Sequence, residues 1–239
     1  ATSVTPAQAD RFSSAYTDAR NDMAEAWFHL DGQAESIGLP RRYVLVGLGA
    51  GAQIASDIAL ATSGLPYDIA GQIASSGTHR SSRSLSGTPQ FPVVLQTGLF
   101  DTAVPSYSGN LYLDSDMPQL VGARSLYNQL AATDATVRLY VNAQQGHGLG
   151  VYEPSSGGAD FYGDAIQLFL AAPAEPSAGF EYRFTCSDAN FGAAGPGVRI
   201  SSAQFEDFRY EPYESDMEGG LTPEESLELH PPELSNCEG

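Results

Sequence analysis

The sequence predicts an α/β fold, in which a mostly parallel sheet is flanked by helices. Short apolar runs typical of buried strands alternate along the chain with stretches whose apolar residues recur at helical spacing. Three of the runs end in turns that contain glycine. Regular alternation of strand and helix predicts parallel strands joined by helical crossovers.

The individual elements follow from local patterns. Thr5-Pro6 is typical of a helix start, and the helical pattern after it ends at "IGLP". That pattern comprises Met23, Ala26, Trp27, Leu30, Ala34 and Ile37. Strands are predicted at "YVLV", "DIAGQIASSG", "FPVVLQTG" and "ATVRLYVNA". Helices are predicted after the first of these runs, around "PQLVGARSLYNQLAA", and through Phe161, Ile166, Phe169 and Leu170.

The proline-rich stretch "AAPAEPSAG" predicts a boundary between two parts of the chain. We expect the α/β domain to span residues 1–172 and a C-terminal extension to span residues 173–239. Within the extension, "FEYRF" and "VRISSAQFEDFRY" predict one or two strands. The remainder is acidic and rich in proline, so we expect an extended tail.

The charge balance restricts the class of partner. The net charge is -18, and all eleven basic residues are arginines. Nucleic acid or an anionic membrane surface would repel such a chain. No apolar run approaches the roughly 20 residues of a membrane-spanning helix, so no span is expected. The expected partner is neutral or cationic.

Cys186 and Cys237 are the two cysteines of the sequence, and they flank its acidic segment. In an oxidising compartment they would form a disulfide that holds the tail, whereas in a reducing one they would remain thiols. The sequence begins "ATSVTP" without methionine. We expect either that the protein is processed at its N-terminus or that the given sequence starts at an arbitrary point. We favour the disulfide and an extracellular or other oxidising compartment.

No cofactor or metal is expected. The spacing around the two cysteines does not match that of a metal site. Asp114 and Asp116 in "LDSDMP" have the oxygen ligands that calcium prefers, but a solvated loop is the favoured interpretation.

The turns "GLGAG", "GLFDTAVP" and "QQGHGLG" follow three predicted strands. In an open parallel sheet, ligands and catalytic residues gather at the carboxyl ends of the strands. These three turns are therefore the candidate functional site.

In these turns the chain resembles the α/β-hydrolase superfamily, and serine esterases in particular. Members carry a G-x-S-x-G elbow between a strand and a helix, then an acid in G-x-x-D-x-x-V-P, then a histidine preceded by glycine. "GLGAG" aligns with the elbow, Gly98 and Asp101 with the acid motif, and Gly146 and His147 with the histidine motif. The order along the chain also agrees, and the similarity extends from about residue 23 to residue 170.

The resemblance implies nucleophilic acyl transfer to a small-molecule ester or a neutral polymer substrate. A hydroxyl at the elbow would attack the acyl carbon, His147 would move its proton, and Asp101 would orient the imidazole. The N–H of Ala50, which follows the nucleophile position, would form part of the oxyanion hole.

Two departures from the family pattern change this expectation. Gly49 stands at the nucleophile position, so the acyl-enzyme route is expected to be blocked, through drift or by deliberate substitution. Only helical sequence precedes the first predicted strand, where the family has about four strands. The chain therefore corresponds to the C-terminal half of a hydrolase domain. Either a companion chain supplies the first half, or the domain is reduced.

Other interpretations remain open. Gly47, Gly49 and Ala52 also satisfy the dinucleotide-binding pattern G-x-G-x-x-A, although Asp68 begins the next strand and does not end it. A non-catalytic binding or structural subunit built on the hydrolase scaffold is the second alternative. Asp101 alone is also typical of an Asx turn, and His147 of a surface loop. The remaining histidines (His29, His79 and His230) are expected to be structural or exposed.

Overall fold

The computed structural model of the chain describes residues 4–34, 36–63, 68–98, 101–142, 147, 165–170, 177–184 and 198–201. The predictions for Gly146, the Cys186–Cys237 disulfide and the acidic tail lie outside these residues.

The described elements are a mixture of helices and strands, but the predicted alternation is incomplete. The strands Asp68–Ser75 and Val93–Gly98 follow one another with no helix between them. The helices are α1 (Pro6–Ala34), α2 (Ala50–Ala61), α3 (Ala123–Ala131) and α4 (165–170), with a 3₁₀ turn at Leu111–Leu113. The strands are β1 (Arg42–Leu48), β2 (Asp68–Ser75), β3 (Val93–Gly98), β4 (Gly109–Asn110), β5 (Gln119–Leu120), β6 (Val137–Asn142), β7 (Ala178–Phe184) and β8 (Val198–Ser201).

The main sheet confirms the predicted α/β class. Its strand order is β1-β2-β3-β6-β7-β8, and every neighbouring pair from β1 to β7 is parallel. β8 pairs antiparallel with β7, and the short strands β4 and β5 form a separate antiparallel pair. β7 lies beyond the predicted boundary at residue 172, yet it pairs with β6, so the sheet continues across that boundary.

Helices pack on both faces of the sheet. On one face, side chains of α2 and α3 such as Ile58 and Leu126 join strand residues such as Leu95 in a large buried cluster. On the other face, Ala165 of α4 packs with Val94. Since successive strand residues point to opposite faces, a strand buried on both faces is apolar throughout, as in the run "VVL" of β3.

Helix α1 begins at the predicted proline, but it buries a different stripe from the one expected. Trp27 and Ala34 are buried, whereas Met23 and Leu30 are exposed. The helix ends at Ala34, so the exposed Ile37 lies beyond it. The difference arises because polar side chains dock the helix as well as apolar ones. The buried Tyr16 hydroxyl donates to the carboxylate of Asp57 on α2 at 2.7 Å.

The C-terminal end of α1 is held against β1 by a second buried carboxylate, that of Asp31. Asp31 accepts hydrogen bonds from the Arg41 guanidinium and, at 3.0 Å, from the Tyr43 hydroxyl. Trp27 also packs edge-on against Tyr43, with their ring centroids 5.5 Å apart. These contacts hold α1 beside β1.

Strand β1 lies at one edge of the main sheet as described here. Its residues Val44 and Val46 share a face and are 42% and 49% exposed, while Leu45 on the opposite face is buried. In the described part of the chain, no helix has the length and apolar character needed to cross a lipid bilayer.

Candidate active site

A single residue, Gly49, connects β1 to α2. Its backbone has φ 53° and ψ -119°, a left-handed combination that glycine adopts without strain. The Gly49 N–H donates to the carbonyl of Ser75 at 2.9 Å, and the Gly49 carbonyl accepts from the N–H groups of Ala52 and Gln53. These bonds tie the turn both to the neighbouring strand β2 and to the first turn of α2.

Two glycines are required because backbone segments approach closely at this turn. A Cβ placed on Gly47 would lie 2.5 Å from Cα of Ala52, and one placed on Gly77 would lie 2.3 Å from the Gly49 carbonyl oxygen. A Cβ on Gly51 would meet no atom within 4 Å. No sequence motif assigned a role to Gly77. The sequence signal that could have identified it is its position, a glycine just after the strand that neighbours the elbow.

The side chain of Asp101 follows β3 and is fully buried. Its Oδ1 accepts the N–H of Ala103 at 2.9 Å and that of Val104 at 2.8 Å. The first of these bonds is the Asx turn that the sequence allowed as an alternative. The same carboxylate also contacts His147, so the two interpretations of Asp101 are compatible.

His147 lies beyond the end of β6, and its ring meets Asp101. Nδ1 is 2.9 Å from Oδ2 and 3.1 Å from Oδ1 of Asp101. The hydrogen bond to this carboxylate raises the pKa of His147, with partial burial acting in the opposite direction. The side chain is 41% exposed, so solvent reaches the imidazole.

The second ring nitrogen of His147 faces the elbow. A Cβ placed on Gly49 would lie 3.2 Å from Nε2 and 3.6 Å from Cε1. Asp101, His147 and Gly49, which are far apart in the sequence, therefore lie within a few ångströms of one another. They follow β3, β6 and β1, and the end of β2 lies between the ends of β1 and β3.

Ala50 is the first residue of α2. The N–H groups of the first helical turn have no intrahelical acceptor, and the helix dipole makes this end electropositive. The N–H at Ala50 therefore lies where partial negative charge beside Gly49 is stabilised.

Ser76, directly after β2, is a further residue to which the sequence analysis assigned no role in this site. It is 1% exposed and has φ 50°, an uncommon conformation for a residue other than glycine. Its N–H donates to the carbonyl of Gln96 on β3 at 2.8 Å. This bond ties the end of β2 to β3 beside the elbow. The hydrophobic periodicity of the sequence carries no information about a positive φ, so it could not have identified Ser76.

Of the other histidines, His29 and His79 lie among the described residues. His79 is buried, and burial lowers its pKa, although the Asp57 carboxylate acts in the opposite direction. His29 is exposed on α1, and His230 lies outside the described residues.

Asp114 and Asp116 form a local loop. The Asp114 carboxylate accepts the N–H of Val4 at 2.7 Å and that of Asp116 at 3.0 Å. These bonds lower the pKa of Asp114. Across the described ranges, no group of three histidine, cysteine, aspartate or glutamate side chains is arranged to hold a metal ion.

A cavity of about 290 Å³ lies at the opposite edge of the sheet, where β2 begins. Asp68, Ile69 and Phe91 are among the residues that line it. Because Asp68 begins β2 and Ser75 ends it, the length of the strand separates this cavity from the elbow.

Comparisons of the chain with protein-family models, with curated protein sequences and with solved structures find no match. The functional assignment therefore depends on the residues and geometry described above.

Proposed function

We propose that this chain carries an acyl-transfer site of the serine-hydrolase type, similar to that of carboxylic ester hydrolases, in which Gly49 replaces the nucleophile. One observation carries the proposal. Nε2 of His147 lies 3.2 Å from the position of a Cβ on Gly49, while Nδ1 of the same ring contacts Asp101 at 2.9 Å. A hydroxyl on residue 49, a base and an acid would then form one relay.

Each remaining group has a role in that relay. His147 is the general base and acid, and the buried Asp101 is the positioning residue that fixes the tautomer and orientation of the ring. The N–H of Ala50, at the start of α2, donates to the oxyanion that develops on an ester carbonyl. The proposed substrate is a small-molecule ester or a neutral polymer, in keeping with the strongly acidic chain.

As the sequence stands, the acyl-enzyme route has no starting atom. Glycine has no side-chain oxygen, so no covalent acyl intermediate forms at residue 49. Glycine also avoids the strain of the elbow, which would cost a serine about 1–3 kcal/mol. We therefore propose that the chain does not act as a serine esterase.

The decisive experiment restores the hydroxyl. Gly49→Ser should raise the turnover of p-nitrophenyl acetate by about 10²-fold or more, because a positioned base then acts on a positioned nucleophile. The 3.2 Å spacing requires a small shift of the His147 ring, which its partial exposure permits. The variant should also form a covalent adduct with a fluorophosphonate probe, detected by mass spectrometry.

Gly51→Ser is the matched control for this gain. It adds the same side chain two residues away, where a Cβ meets no atom within 4 Å. It should fold and gain no turnover, and Gly49→Ser combined with His147→Gln should lose the gain. A folded Gly49→Ser protein with neither turnover nor adduct would refute the proposed site.

A second candidate function is supported by the edge strand β1. Strands of parallel sheets are normally buried on both faces, yet Val44 and Val46 are about half exposed. A row of main-chain groups on an edge strand is also a template for pairing with another strand. We propose as the alternative that β1 pairs with a strand of a companion chain, and that the molecule serves as a subunit of a larger assembly.

A further inference from the structure

The contact between Asp101 and His147 is complete without any contribution from residue 49. Two backbone N–H groups and the His147 ring hold the Asp101 carboxylate, which is fully buried. Asp101 in turn contacts Nδ1 of His147 at 2.9 Å. An oriented imidazole with a buried carboxylate behind it is the arrangement of a general base.

The basic nitrogen of this pair points at the glycine. When the neutral ring donates its Nδ1 hydrogen to Asp101, the lone pair lies on Nε2. Nε2 is the atom nearest to a Cβ placed on Gly49, and Gly49 itself carries no side chain to meet it. Since the His147 side chain is 41% exposed, water reaches the ring.

We propose that His147 activates water directly, so that the chain hydrolyses activated esters without an acyl-enzyme. This inference rests on the proposed function, since it uses the same base and the same N–H at the start of α2. It differs in naming water as the nucleophile and in predicting an activity for the chain as it stands.

The reaction is a single addition and elimination. Nε2 takes a proton from water while the water oxygen forms a bond to the acyl carbon, and the carbonyl oxygen becomes an oxyanion beside the Ala50 N–H. The ester C–O bond then breaks, and the proton on Nε2 passes to the leaving alcohol oxygen. The products are a carboxylic acid and an alcohol, and the protein is unchanged.

The substrate class follows from the nucleophile. Water is a weaker nucleophile than a serine hydroxyl held by the elbow, so the route favours small acyl groups with good leaving groups. A positioned general base contributes roughly 10²–10⁴-fold to a rate, which sets the scale of the expected activity.

The test measures p-nitrophenyl acetate hydrolysis by the unaltered chain and by two variants. His147→Gln should lower the protein-catalysed rate by about 10²-fold through loss of the base. Gly49→Ala should also lower it, because the methyl group would lie against Nε2. Gly51→Ala is the control and should keep the rate, since its methyl group meets no atom within 4 Å. Thermal unfolding reports whether each variant is folded.

Measurements on the unaltered chain do not depend on how the variants fold. The rate should rise with pH as His147 loses its proton, with an inflection at the histidine pKa measured by NMR. Hydrolysis should be slower in D₂O because a proton moves in the rate-limiting step. A rate that is equal in the unaltered chain and folded His147→Gln, or that shows no such inflection, would overturn the proposal.

Attack by the imidazole itself gives a different result. It would produce a burst of p-nitrophenol and an acetylated protein in quenched samples, and either would also overturn the water route. Gly49→Ser separates this failure from failure of the proposed function. If Gly49→Ser gains turnover while the unaltered chain has no His147-dependent activity, the acyl-transfer site stands and the water route is wrong.

Discussion

Asp101 combines a structural role with a proposed functional one. Its Oδ1 accepts two backbone N–H groups that close the turn after β3, and both carboxylate oxygens lie within 3.1 Å of Nδ1 of His147. A buried carboxylate is retained only where several donors compensate for its lost hydration. The turn therefore holds the carboxylate through contacts that do not involve the histidine.

Replacing this carboxylate by an amide should change the titration of His147. In Asp101→Asn the side chain is neutral, so the hydrogen bond to a charged acceptor that raises the histidine pKa is lost. NMR titration of the ring should give a lower pKa in Asp101→Asn than in the unaltered chain. An unchanged pKa would show that the two side chains do not meet in solution.

The same pKa shift predicts how stability depends on pH. A histidine whose pKa is higher in the folded than in the unfolded state stabilises the fold below the unfolded pKa of about 6.5. That contribution disappears as the pH rises through the folded pKa. Denaturant unfolding at a series of pH values should show this loss in the unaltered chain and a smaller one in Asp101→Asn.

At the scale of elements, the site depends on how closely α2 follows β1. Strand and helix are joined by Gly49 alone, so the start of α2 folds back against the end of β1. Gly47 and Gly77 remove the side chains that would obstruct this contact. The sharpness of the turn is what brings residue 49 beside the His147 ring.

Gly47→Ala and Gly51→Ala form a matched test of this packing. The methyl group on residue 47 would lie 2.5 Å from the backbone of α2, so we expect a loss of stability. Overpacking of this kind typically costs about 1–3 kcal/mol. Gly51→Ala, in open space at the start of the helix, should be neutral or stabilise by up to about 1 kcal/mol. Denaturant unfolding measures both, and equal stabilities would refute the close approach.

At the scale of the whole molecule, β1 is an edge strand that pairs on one side only in the described structure. The site lies at the carboxyl end of this strand, and Val44 and Val46 along it are half exposed. A strand added beside β1 would therefore extend the sheet next to Gly49. Under the subunit proposal, the assembly surface would therefore lie beside the candidate site.

Native mass spectrometry of the protein purified from its source tests for a companion. Under the subunit proposal, a complex heavier than 25.3 kDa should appear, and Val46→Lys should weaken it by placing a charge on the exposed face of β1. Tyr112→Lys is the control, since Tyr112 is exposed outside the main sheet. A monomer under native conditions would contradict the subunit proposal and leave the acyl-transfer site unaffected.

The sequence by itself determined the α/β class and the positions of β1, β2, β3 and β6. These follow from periodicity and turn composition, which are local properties of a chain. It also placed Gly49, Asp101 and His147 after strands, where a parallel sheet brings such residues to one edge. Their roles in catalysis stay predictions.

Only the tertiary structure decided which atoms meet. Sequence spacing does not give the 3.2 Å between Nε2 of His147 and the Gly49 position, because that distance depends on strand order and on the packing of α2. For the same reason, the stripe of α1 that is buried differs from the predicted one, and the pairing of β7 with β6 was not predicted. Local patterns specify elements, whereas contacts between distant residues arise from how those elements pack.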